Sequence, residues 1–217
     1  STENYFKKRQ KTNFNIKRLQ LIKTHIKGNV LKNNLSRAVA FEELMKIENQ
    51  DNHEKFLQNF LLVNTSKPYL KEVLDLHNDI QNMSTGKILP ELNLQDHLLN
   101  TISTVKLINK PTVFYFWSQT QMSHYKNTII KVKDLEKRFP KYDFKGICIQ
   151  PFNEIVFEVH RMMNIDPKTQ LAFTNFDNDS KKWVLSLLNR AIIVEANRKI
   201  KEGFANFSST DFEDLLY

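Results

Sequence analysis

A chain of 217 residues with 41% hydrophobic side chains, including 16 Phe, is long and apolar enough to bury a sizeable core, which excludes disorder throughout. Four Gly and six Pro are few for an all-β fold with many tight turns, and a single Cys excludes both an intramolecular disulfide and a dithiol redox cycle within the chain. The net charge of +8 is local: residues 1–40 carry ten Lys or Arg against one acid, whereas residues 41–217 carry 22 against 23.

The basic lead-in "KKRQKTNFNIKRLQLIKTHIKGNVLK" is compatible with an arm that meets phosphates, anionic lipid or an acidic protein face. It lacks clustered Arg, zinc spacing and interleaved stacking aromatics, so its first reading is a solvated, partly helical segment, and nucleic acid is not expected as a partner. From Leu35 to Met83 the pattern is helical. "NLSRAVAFEELMKIEN" is expected to be capped by Asn34, "NHEKFLQNFLLVN" places Phe56, Phe60 and Val63 on one side, and "KPYLKEVLDLHNDIQNM" repeats Tyr69, Val73, Leu76, Ile80 and Met83 every three or four residues.

"STGKILP" marks a break at Gly86 and Pro90, giving a basic and helical region over 1–85 and a second domain over 86–217. Its letters lack the first Gly and the trailing Ser or Thr of a phosphate-binding loop. Strand and helix then alternate. "ELNL" and "TVKLI" are short strand candidates, and "PTVFYFW" is a continuous apolar run suited to a central strand buried on both faces. A helix from Gln121 to Phe139 follows, with Met122, Tyr125, Ile129 and Val132 inward and Pro140 as its stop. "YDFKGICI" reads as a second central strand, "NEIVFEVHRMM" as a helix, "QLAFTNF" as a brief strand and "SKKWVLSLLNR" as a third helix. "AIIVEANRKIKEGFANF" reads as two strands turning at Asn197 and Arg198, and "STDFEDLLY" as a last helix capped by Ser209.

No stretch approaches the roughly 20 apolar residues of a membrane span. The first residue is Ser1, so any signal or lipid anchor, and with it membrane association, is expected upstream. Cys148 lies among alternating apolar residues in "FKGICIQ" and is expected to be a buried, structural thiol. His25, His53, His77, His97, His124 and His160 show no metal spacing, no Ser-His-Asp order suggests hydrolysis, and no cofactor motif or small-molecule substrate site is evident.

In this order the segments resemble the TlpA-type thioredoxin-like family over residues 86–217. "GKILPELNLQD" is similar to its opening segment, "KPTVFYFWS" to its first central strand, "LEKRFPKYDFKGICI" to its first helix end and second strand, and "AIIVEANRKI" to the strand and turn after its conserved proline. "YLKEVLDLHNDIQNMSTG" resembles what precedes this domain in Bacteroidetes members, especially flavobacterial ones. The resemblance implies an α/β thioredoxin-like fold, a central mixed sheet flanked by helices, behind a helical N-terminal region. It also implies a place in the periplasm or cell envelope and a Cys-x-x-Cys pair that reduces or isomerises disulfides.

Within "FWSQTQMSHY" that pair falls on Gln121 and His124, and neither can attack a disulfide. The cis-proline of the family falls on Asn189 or Arg190, where an ordinary trans peptide is expected because a non-proline cis bond costs about 2.5–4 kcal/mol. The expected function is therefore that of a redox-inactive thioredoxin-like component that binds or scaffolds another envelope protein. Its candidate surface comprises Trp117, Gln121, His124, Tyr125, Asn189 and Arg190; the other reading places Trp117 and Tyr125 in the core and leaves Gln121 and His124 merely solvated. The alternatives are a thiol–disulfide oxidoreductase using Cys148 or a partner's thiols, and attachment of the basic first 40 residues to anionic lipid or nucleic acid.

Overall fold

The computed structural model describes residues 12–217, so the lead-in before Thr12 lies outside the described residues. The chain divides into two compact units, the first ending at Ile80 and the second running from Gln81 to Tyr217.

The first unit is helical: α1 (Thr12–His25), α2 (Asn29–Leu44), α3 (His53–Leu61) and α4 (Lys67–Asn82), with a 3-10 segment at Ile47–Asn52 between α2 and α3. Helix α1 is not merely solvated lead-in, because Asn15, Ile16 and Leu19 are buried. Asn15 donates to the buried Glu43 carboxylate at 2.7 Å and Arg18 pairs with Glu42 at 2.7 Å, which sets α1 against α2 as a hairpin through the connector 26–28. Helix α2 begins at Asn29 behind Gly28, a turn earlier than the expected Asn34 cap; Asn34 instead accepts from the Tyr69 hydroxyl at 2.9 Å. Phe56, Phe60 and Val63 are buried as the periodicity predicts, as are Val73 and Ile80 of α4.

The second unit is a seven-stranded sheet. Its strands are β1 (Asn93–Gln95), β2 (Thr101–Ser103), β3 (Thr112–Trp117), β4 (Asp143–Cys148), β5 (Gln170–Phe173), β6 (Arg190–Val194) and β7 (Ile200–Asn206), in the spatial order β2-β1-β5-β4-β3-β6-β7. Its helices are α5 (Thr104–Leu107), α6 (Met122–Arg138), α7 (Glu154–Met162) and α8 (Phe176–Lys182). Parallel crossovers run β3–α6–β4 and β4–α7–β5, and the β6/β7 hairpin lies antiparallel on the other side of β3. This is the thioredoxin-like arrangement.

All six residues of β3 are buried because the pleat sends alternate side chains into two cores. Val113, Tyr115 and Trp117 join the core that contains Tyr125, Ile129, Val132 and Leu135 of α6, while Phe114 and Phe116 pack on Trp183 at ring distances of 5.3 and 6.3 Å. Three expected elements differ. "TVKL" is a helical turn, not a strand, because the Ser103 side chain caps it by accepting from the Val105 amide. Helix α8 stops at Lys182, where the chain turns through Val184 at φ 52°. The last element, Phe212–Leu216, is a 3-10 turn entered from Asp211 and not from Ser209.

Gly203 of β7 lies so close to the chain after α4 that a Cβ there would sit 2.0 Å from the carbonyl oxygen of Met83. Backbone meets backbone, and no side chain can rotate away. Gly203→Ala is expected to lower the urea unfolding free energy by about 1–3 kcal/mol; wild-type stability would show that this contact is loose.

Candidate functional site

The carboxyl ends of β3 and β4 place two loops side by side, residues 118–121 and 149–153, and the first of these leads into α6. Gln121 is the residue before α6, is exposed, and has no side-chain capping bond. The position that would carry a nucleophile at a helix start thus presents a carboxamide. His124 is half-buried, and its Nδ1 is buried without a partner.

Trp117 and Tyr125 do not line this surface. Both are fully buried, with their rings stacked at 3.9 Å and 17°, so they anchor the start of α6 to the end of β3. Below them runs a buried polar chain. The Tyr125 hydroxyl donates to Gln170 Oε1 at 3.2 Å and pairs with His160 Nε2 at 2.9 Å, and Gln170 Nε2 donates to the Tyr115 hydroxyl at 2.9 Å. An assignment consistent with all three bonds puts the His160 proton on Nε2 and leaves its buried Nδ1 unpartnered. Burial pushes the His160 pKa down to about 4, so the ring is neutral at pH 7. Burial raises both tyrosine pKa values well above the ordinary one, so neither phenol serves as a base. Gly146 of β4 makes room for this chain: a Cβ would lie 2.4 Å from Gln170 Oε1 and 2.7 Å from the Tyr115 hydroxyl.

The two loops are tied together by amides. Gln150 Oε1 accepts from the Gln119 backbone N–H at 3.0 Å, and Gln150 Nε2 donates to the buried Ser118 hydroxyl at 2.9 Å. Gln119 Nε2 donates to the Pro151 carbonyl at 2.6 Å, and Asn153 Nδ2 donates to Gln119 Oε1 at 2.7 Å. Beneath this belt lies Cys148, fully buried, paired in register with Trp117 on one side and Ala172 on the other. Its thiol lies 3.6 Å from Gln119 Nε2 and 3.5 Å from Gln150 Oε1, and burial raises its pKa, favouring the unreactive thiol over the thiolate.

Arg190 is also no surface residue. It is buried, and its guanidinium donates to the carbonyl of Gly203 and to those of Trp183 and Val184, over the Phe204 ring at 4.3 Å. Burial lowers its pKa to about 9, which leaves it charged at pH 7 and satisfied by backbone carbonyls. It braces the bend after α8. Asn189 is half-exposed and bonds to Asn206 at 3.2 Å, and the described residues contain no cis peptide bond. Of the six candidate surface residues, then, Gln121, His124 and Asn189 retain exposure, Trp117 and Tyr125 take the core placement that their strand and helix faces also gave them, and Arg190 is corrected to an interior role. Gln119, Gln150, Asn153, His160 and Gln170 complete the arrangement and were not singled out by pattern. Among the described residues no group of three or more His, Cys, Asp or Glu could hold a metal.

No family model matches the chain, and no curated protein matches it significantly. Several solved structures are similar. The thioredoxin domain of a thiol-disulfide oxidoreductase from Bacteroides vulgatus is 17% identical, covering 62% of this chain and 99% of that one, with a TM-score of 0.48. A thiol:disulfide interchange protein from a Bacteroides species is 17% identical over 54% of this chain and 78% of that one, with a TM-score of 0.44. A thiol peroxidase from Chromobacterium violaceum is 14% identical over 61% and 83%, with a TM-score of 0.49.

The neutral, buried His160 makes a signed prediction. The unfolded chain binds a proton near the ordinary His pKa of about 6.5, and the folded chain only near 4. Its contribution to stability is therefore full above pH 6.5 and is lost as pH falls toward 4, with a slope of at most about 1.4 kcal/mol per pH unit. Urea unfolding of the wild type and His160→Gln from pH 7 to pH 4.5 is expected to show the excess slope in the wild type alone. Parallel pH profiles would mean that His160 takes up its proton in the folded state.

Proposed function

We propose that the chain is a redox-inactive thioredoxin-like protein, a degenerate TlpA-type member, that holds a segment of another protein in the cell envelope and does not oxidise or reduce it. One observation carries this reading. The only thiol, Cys148, is fully buried beneath a belt of amide hydrogen bonds, and the exposed helix start above it presents Gln121.

The chemistry supports the loss of redox function. Thiol–disulfide exchange begins with an exposed thiolate attacking in line along a disulfide and ends with a second thiol that resolves the mixed disulfide. A carboxamide does neither, and a buried thiol with a raised pKa is a poor substitute for the first. Binding is supported by what remains accessible near these loops. Gln121 and Asn189 offer amide donors and acceptors, and Ile155, in the first turn of α7, exposes apolar surface at 68%. The envelope assignment follows from the family resemblance of the segments alone, and cell fractionation tests it.

An insulin-reduction assay with dithiothreitol as electron donor tests the central reading. The wild type and Cys148→Ser are expected to match the uncatalysed rate. Turnover in the wild type that disappears in Cys148→Ser would establish the oxidoreductase alternative.

A further inference from the structure

The helical hairpin of the first unit has two unlike ends. Its base is buried and pinned: Ile16, Leu19, Val39, Ala40 and Leu44 are core residues, and Asn15 and Arg18 bond to Glu43 and Glu42. Its tip, residues 20–35, contains no buried residue at all. Yet the tip is not polar, since Leu21 is 58% exposed, Val30 77%, Leu31 52% and Leu35 38%.

A second element adds to the same end. The loop after α3 docks on α2 through Asn64, whose amide donates to the Asn33 carbonyl and the Ser36 hydroxyl at 2.9 Å, and through the Thr65 backbone, which donates to Asn33 Oδ1. Leu61 and Leu62, three and two residues before Asn64, are 47% and 68% exposed. Exposed apolar side chains gathered at one end of a helical unit exceed the scattered surface Leu of an ordinary domain.

Charge selects what could cover them. Between Thr12 and Phe41 the chain has Lys17, Arg18, Lys23, Lys27, Lys32 and Arg37 and no acidic residue. Arg18 and Arg37 are committed to Glu42 and Glu72; of the four lysines that remain, Lys17 lies on the base side and Lys23, Lys27 and Lys32 lie within the tip that carries the exposed Leu and Val. Aliphatic side chains flanked by lysines, with no acid among them, fit an interface in which hydrocarbon lies just beneath negative headgroups. Shallow burial of Leu and Val there removes them from water, while the ammonium groups remain among the phosphates.

We propose that the tip of this hairpin docks on an anionic lipid surface. Val30 and Leu31 enter the headgroup boundary, with Lys23, Lys27 and Lys32 around them. The site belongs to the helical unit, and it stands or falls independently of redox chemistry in the other one.

Vesicle flotation of the full chain tests it, using phosphatidylcholine alone and phosphatidylcholine with roughly one third phosphatidylglycerol. Binding to the anionic vesicles is expected to be at least about tenfold tighter than to the neutral ones and to fall steeply between about 0.05 and 0.5 M salt. Val30→Ser with Leu31→Ser, and separately Lys23, Lys27 and Lys32→Gln, are each expected to weaken it at least about tenfold. All five positions are exposed or half-exposed, and unchanged far-UV circular dichroism verifies the fold of each variant.

Equal binding to both vesicle types would overturn the proposal, as would full binding by the Val30/Leu31 variant. A duplex oligonucleotide bound in preference to anionic vesicles would overturn it in favour of nucleic acid. A dimer that these substitutions dissociate, with no vesicle binding, would overturn it in favour of a second copy of the chain.

Discussion

The stacking of Tyr125 on Trp117 is the contact on which the second unit's candidate surface depends. It joins the last residue of the central strand to the first turn of α6, and the Tyr125 hydroxyl extends the joint to α7 and β5 through His160 and Gln170. Because residues four apart share a helix face, inward-facing Tyr125 sets Gln121 one turn above it, at the exposed end of the helix. The family resemblance implies a nucleophile at this helix start, which is exposed. What it displays is an amide.

Around it, polar side chains bond across the loops. Gln119, Gln150, Ser118 and Asn153 satisfy one another across the two loops, so the backbone and side-chain polar groups of the rim are engaged internally. Arg190 stands in the region where the resemblance puts a cis-proline, and it turns inward to collect three carbonyl groups. Both sets of bonds tie polar side chains to neighbouring loops.

Much of the fold was legible because it rests on local pattern. The run of five apolar and aromatic residues from Val113 to Trp117 announced a strand buried on both faces, and the three-to-four spacing from Met122 to Phe139 announced α6. The Cys count alone excluded a dithiol cycle. What pattern could not supply were partners distant in the chain. Tyr125 meets His160 and Gln170 from 35 and 45 residues away, and Gln119 meets Asn153 from 34, so amphipathic periodicity says nothing of them. The strand and helix patterns already placed Trp117 and Tyr125 inward, against their place in the candidate surface, whereas Arg190 read as a surface residue because a guanidinium is amphipathic and only tertiary packing decides which end meets water. Local errors had local causes. The Ser103 cap turned "TVKL" into a helical turn, and an early start at Asn29 left Asn34 inside α2.

Cys148 is a thiol that solvent does not reach in the folded protein. The most direct measurement is the rate at which Cys148 reacts with an excess of a small aromatic disulfide reagent at pH 8, compared with the same reaction in denaturant. The native reaction is expected to be slower by several orders of magnitude, because it must wait for opening of the loops or global unfolding. A native rate close to that of the unfolded chain would place an accessible, ionisable thiol at the surface and contradict that expectation.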